Sequence, residues 1–207
     1  MACKTFQEET KMKKRLNERG FTLVELAIVM VIIGLLVGAV LKGQAMIDDA
    51  KQKRLLNDLQ GISAAFFTYY DRYNAIPGDD ASTHGWGGGT LTVGNADGFI
   101  GGTAVPVPAG EGQTAWQELR YAGLLSGDPV ATGAPSLPGH PYGGKYGLSN
   151  RSFGTAIGTK NYIYVNNIAG SVAEIIDIKY DDGVFSTGSI QASNAYTTAT
   201  VDLYYAL

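Results

Sequence analysis

Between Phe21 and Leu41 the chain runs for 21 residues with one charge, Glu25. At the rise of an α-helix this is about the length that crosses ~30 Å of hydrocarbon. The preceding segment KMKKRLNERG carries Lys11, Lys13, Lys14, Arg15 and Arg19 against Glu18, a net +4. A basic flank holds the N-terminus on the cytoplasmic side and sends the rest of the chain across. The same asymmetry runs through the whole sequence. Residues 1–20 hold six Lys/Arg and three Glu (+3), and residues 21–207 hold ten Lys/Arg and sixteen Asp/Glu (−6). So acidic a body gives no electrostatic reason to bind nucleic acid.

Two ordinary readings of this run fit less well than a membrane span. A buried helix of a globular protein seldom follows a basic tail. A cleaved secretory signal also starts basic and apolar, and Gly43-Gln44-Ala45 offers a small-x-small site. Its apolar part is normally 7–15 residues, however, and does not open with a carboxylate. A charge at that depth costs about 2.5–3.5 kcal/mol on insertion scales, so Glu25 calls for a partner. It lies four residues beyond Phe21, roughly one helical turn. A cut between Gly20 and Phe21 would expose an α-amino group that Glu25 of an adjacent copy could neutralise, setting an axial stagger between copies. The helix dipole, which favours an acid in the first turn, is compatible with this but explains less.

The stretch RGFTLVELAIVMVIIGLLVGAV resembles the N-terminus of type IV pilins and type II secretion pseudopilins, matching at Gly20, Phe21, Thr22, Leu23, Glu25 and Leu26. The resemblance implies cleavage after Gly20 by a prepilin peptidase and N-methylation of the new Phe21 amine. It also implies pairing of Glu25 with a neighbouring N-terminus during assembly, on an inner-membrane platform, with other pilin-like subunits. Residues 1–20 would be the leader, 21–41 the transmembrane and filament-core half of a helix, 42–74 its amphipathic half, and 75–207 a head. The segments YNAIPGDD, AWQELRYAGLLSG and DIKYDDGVFSTGSIQA also look like parts of bacterial pilin-like proteins.

From Gln44 to Tyr73 there is no proline, and Leu55, Leu59, Ile62, Phe66, Tyr69 and Tyr73 step by 4, 3, 4, 3 and 4. That spacing predicts one apolar stripe on a helix continuing from the membrane run, closed by Pro77-Gly78. Core packing accounts for its aromatics better than a cofactor site does. Gly34-x-x-x-Gly38 suits close helix contact in lipid, and Gly34, Gly38 and Gly43 each weaken the helix by about 1 kcal/mol relative to Ala. This stretch is therefore expected to pack tightly or unwind locally when subunits assemble.

Beyond the helix, residues 78–112 read as loop, and GQTAWQELRYAGLLSG as a short helix with Thr114 as N-cap. In that helix Glu118 and Arg120 are expected outward, Trp116, Leu119 and Tyr121 partly inward, and Gly123 at the end. Gly127–Gly147 reads as another Gly/Pro loop and residues 160–168 as a strand. Ser171 and Glu174 have capping-box spacing and would open a helix through Ile178. VFSTGSIQA and TATVDLYYAL read as closing strands. The expected class is α+β: a pilin fold with a long N-terminal helix packed on a small antiparallel sheet with big loops. The only cysteine is Cys3, so the body has no internal disulfide. That favours a pseudopilin, while the loop-rich head favours a minor or specialised pilin.

Two acidic loops suggest calcium. In NADGFI (Asn95, Asp97, Gly98, Ile100) the flanking ligand positions are Val93 and Ala104, so the full calcium-loop pattern fails. DIKYDDG brings together Asp177, Asp181 and Asp182; a solvated turn is the simpler reading of both. No motif for catalysis appears: His84 and His140 lie in separate loops, and there is no GxSxG, P-loop or zinc pattern. The chain reads as a non-enzymatic filament subunit at the bacterial inner membrane, head periplasmic. The alternative is an anchored or secreted binding module presenting Trp86, Tyr196, Tyr204 and Tyr205.

Overall fold

The computed structural model describes residues 20–86, 91–102, 104, 108–152 and 159–207. The expected leader, residues 1–20, therefore lies outside the described residues except for Gly20. The chain divides into two compact units at Met46/Ile47. Helix α1, Leu23–Tyr73, contributes to both.

In the first unit α1 is exposed throughout its apolar residues, from Leu23 to Leu41. It is long and apolar enough to cross a membrane. Exposed leucines, valines and isoleucines in such number have no stable home in water.

The second unit has a hydrophobic core. The predicted stripe supplies one wall: Leu55, Leu59, Ile62, Phe66 and Tyr69 are buried, and Tyr73 packs at the margin. Asn74 ends α1 with φ 52, a left-handed conformation that Asn tolerates, and returns its N–H to the Tyr70 carbonyl at 2.8 Å. Helix α2 spans Glu111–Tyr121. A 3₁₀ turn, Ala134–Ser136, precedes strand β1, Tyr146–Ser152. Strand β2, Thr159–Ala169, runs straight into helix α3, Gly170–Tyr180. Strands β3, Ile190–Ala192, and β4, Thr200–Ala206, close the described fold. All pairings are antiparallel, in the order β1-β2-β4-β3. Val165, Leu203, Leu148 and Ile190 turn from the sheet into the core. This is the expected α+β pilin architecture.

Four local expectations are corrected. Helix α2 starts after Gly110, not at Thr114; Thr114 lies inside it, buried. Glu118 does not face outward but is 1% exposed, because the loop before α2 covers that face: the Gly78 N–H donates to its Oε2 at 2.6 Å. Gly78 has φ 93, and a Cβ there would lie 2.5 Å from the Glu111 carbonyl oxygen, so only glycine lets the loop come so near. Helix α3 has no side-chain cap, and Ser171 plays no such part. Its first amide, from Gly170, reaches the Ala199 carbonyl at 3.3 Å, so the chain entering β4 takes the place of a capping side chain. Finally, VFSTGSIQA is strand only at Ile190–Ala192, and β1 forms in a segment whose Tyr146 and Leu148 are too few apolar residues to announce it.

Candidate processing and assembly site

Gly20 and Phe21 precede α1 and are exposed. Thr22 and Glu25 then cap the helix reciprocally. The Thr22 N–H and hydroxyl both donate to Glu25 Oε2, at 2.8 and 2.9 Å, while the Glu25 N–H donates to Thr22 Oγ1 at 3.2 Å. The first helical bond, Leu26 N–H to the Thr22 carbonyl, follows at 3.2 Å. This is a capping box. The spacing Thr22-x-x-Glu25 is the sequence signal of this cap. Both Thr22 contacts fall on Oε2, which leaves Oε1 to accept from another group. Changing Thr22 to Val is expected to cost the helix start about 1 kcal/mol. Amide hydrogen exchange at Leu23–Leu26 in detergent checks it; unchanged protection contradicts the cap.

Gly34, Gly38 and Gly43 lie within unbroken α1, and a Cβ on any of them would meet nothing within 4 Å. Nothing among the described residues needs their small size.

In the head, Asp177, Asp181 and Asp182 come together, with one carboxylate oxygen from each lying within 4.8 Å of the others. Burial, reinforced by the other two acids, pushes the Asp177 carboxyl above its usual range, against a hydrogen bond from the Tyr196 hydroxyl. The NADGFI loop is different. Asp97 accepts from the Phe99 N–H and the Asn95 amide, Asn95 Oδ1 accepts from the Asp97 N–H, and Asp97 joins no acidic cluster among the described residues. It is a turn held by its own side chains and by Asp79.

The two head motifs YNAIPGDD and AWQEL meet in one buried network. Asp80 Oδ2 accepts from the Tyr69 hydroxyl at 2.9 Å and contacts His84 Nε2 at 2.7 Å. Asp79 accepts from the N–H groups of Asp97 and Gly98. Asp79 and Asp80 are 4% exposed. Burial pushes Glu118 up to about 8, helped by the charges of Asp80 and Asp79 and opposed by the Gly78 N–H. These motifs hold the loop before α2 in place. His140 does a similar task elsewhere, 2.8 Å from the Asn166 carbonyl oxygen.

The aromatics proposed as a contact surface are largely spent inside the head. Trp86 stacks on Tyr121 with centroids 5.9 Å apart. Tyr204 is buried and its hydroxyl meets that of Tyr164 at 2.7 Å. Tyr196 bonds Asp177, and Tyr205 packs against the core. Tyr204 is therefore corrected as a binding residue: its ring lies within the sheet packing rather than on the surface.

A long apolar span that opens on a carboxylate capping its own helix, follows a basic segment and precedes an α+β head fits a membrane-anchored chain. Among family models, the prokaryotic N-terminal methylation motif matches residues 15–41. The chain therefore carries the prepilin-type cleavage and methylation segment of type IV pilins and pseudopilins. No curated protein and no solved structure matches it.

Proposed function

We propose that the chain is a pilin-like precursor, cut after Gly20 by a prepilin peptidase, N-methylated at Phe21, and built through α1 into a type IV pilus or a type II secretion pseudopilus. The observation that carries this reading is the coincidence of three features at one helix start. The methylation motif covers residues 15–41, a small residue stands directly before Phe21, and the single charge of the span sits one turn later. The motif supports a processed substrate and inner-membrane anchoring. The remainder of the proposal follows from the energetics of the span. Its apolar side chains are stable either in lipid or against one another, so filament growth moves them from the first environment to the second.

In the filament, Glu25 Oε1 takes the Phe21 amine of an adjacent copy while Oε2 keeps the Thr22 cap. Gly34, Gly38 and Gly43 allow neighbouring helices to approach closely, or let the helix loosen where they meet. The aromatic-module reading loses one of its four residues, because Tyr204 is buried.

Mass spectrometry of the mature N-terminus tests the proposal. The expected first residue is a methylated Phe21. A chain starting at Met46 would mean an ordinary signal peptide, and an intact Met1 a static anchor; either result overturns the reading.

A further inference from the structure

A cleft of about 490 Å³ opens between α1 and α2, a size within the range of about 300–1,000 Å³ usual for small-molecule sites. Its walls include the apolar Ile62 from α1, Trp116 from α2, and Leu124 and Leu125 from the segment that follows α2. Gly61 borders the same space. A Cβ there would meet nothing within 4 Å, although glycine inside a helix weakens it. The bare backbone therefore leaves room in the cleft without admitting a neighbour among the described residues.

Two observations set what the space takes. The first is an unmet donor. Trp116 is 0% exposed, and its indole N–H has no acceptor among the described residues. A buried donor left unpaired is costly, native structures carry few of them, and each calls for an explanation. The second is charge. Arg54 and Arg120 both border the cleft, and Asp58 is the one acid among the residues that line it. Arg120 lies against the Trp116 ring, 6.0 Å from its centroid, and donates to the carbonyls of Ser126, Asp128 and Ser136. It forms no ion pair among the described residues. Arg54 meets Asp58 Oδ2 loosely, at 3.8 Å, and that oxygen already accepts from the Tyr146 hydroxyl at 2.9 Å. The cleft is thus positive by one charge. The carbonyls at its rim are engaged, Ser126 by Arg120 and Pro138 by the Tyr146 N–H, so a peptide backbone would find little to pair with.

We propose that this cleft binds a small organic acid, its carboxylate meeting Arg54 and the Trp116 N–H and its apolar body resting on Ile62, Leu124 and Leu125. One negative charge matches the surplus, and an oxygen acceptor answers the orphaned donor. The apolar body covers side chains that otherwise line an open space. Every residue of the cleft belongs to the second unit, so occupancy does not depend on filament assembly.

The test titrates 3-phenylpropanoate into the isotope-labelled full chain in detergent and follows the indole N–H signals by NMR. The chain has two tryptophans, so Trp86 is the internal reference. The Trp116 signal should move downfield as its N–H gains an acceptor, saturating with a Kd on the order of 10⁻³ M, as suits a ligand of that size. The Trp86 signal should stay in place. The uncharged 3-phenylpropanamide should bind roughly tenfold more weakly, and Arg54→Gln should weaken the acid by a similar factor. Gly61→Leu, which favours the helix, should fill the cleft and abolish the shift with an unchanged circular dichroism spectrum. A Trp116 signal unmoved at tens of millimolar acid overturns the site, as do equal shifts at Trp86, equal affinity for the amide, or binding that survives Gly61→Leu. An acidic dipeptide, blocked at both ends, that binds tenfold tighter than the acid overturns the small-molecule assignment in favour of a peptide.

Discussion

Glu25→Ala is expected to leave the chain inserted in the membrane and processed at Gly20, yet absent from sheared filament material. Insertion should not suffer, because removing a charge from the span removes a cost of about 2.5–3.5 kcal/mol. Assembly should fail because the neighbour's Phe21 amine would be left buried without its counter-charge. Breaking a buried pair from one side costs about 3–5 kcal/mol. Each step of about 1.4 kcal/mol is tenfold, so incorporation should fall by roughly a hundredfold or more. The capping box complicates Ala, which also removes the bonds to Thr22. Glu25→Gln separates the two, since Gln serves at this capping position but carries no charge. If Glu25→Gln chains polymerise at wild-type levels, the carboxylate acts as a cap alone and the ion pair does not drive assembly.

The second large effect concerns the head's response to pH. Glu118 titrates at about 8 in the folded chain against 4.5 for an ordinary glutamate. The folded state therefore holds this proton across a range in which the unfolded chain has released it. Stability is fully present below about 4.5 and is lost as pH rises through 8. At about 1.4 kcal/mol per unit, the loss is on the order of a few kcal/mol. The urea midpoint of the head transition should therefore be higher at mildly acidic pH than at alkaline pH. Glu118→Gln should flatten that slope and hold the midpoint up under alkaline conditions. Identical pH slopes for the two proteins would mean that Glu118 is not the group responsible.

What could be read from the residues divides along a physical line. Periodicity reports which face of a helix is buried, so the stripe from Leu55 to Tyr69 was legible, as was α1 itself. Residues 160–168 were legible for the same reason, with period two in place of 3.6. Burial imposed by a covering loop has no period. Nothing in AWQELRY announces that a distant loop, the one carrying Gly78, folds over Glu118, so a charged residue there reads as outward. The start of α3 differs from the capping box that Ser171 and Glu174 suggest, because the carbonyl that receives its first amide comes from Ala199, far along the chain. At the start of α1 the pattern of Gly20, Phe21 and Glu25 is visible in the sequence, and so is the Thr22-x-x-Glu25 spacing of the cap. The gathering of Asp177 with Asp181 and Asp182 was suggested by proximity in sequence. The burial of Asp177 within that turn depends on packing and could not be.

The strand order has a consequence for how the head reaches its final state. β4 lies between β2 and β3, which do not pair with each other. Residues 159–169 and 190–192 thus wait, unjoined, for 200–206 to slide between them. Contacts that distant are slow to form, and the sheet can lock only once that late segment is in place. A stall or clip upstream of Thr200 would leave two loose fragments with open edges rather than a smaller stable head.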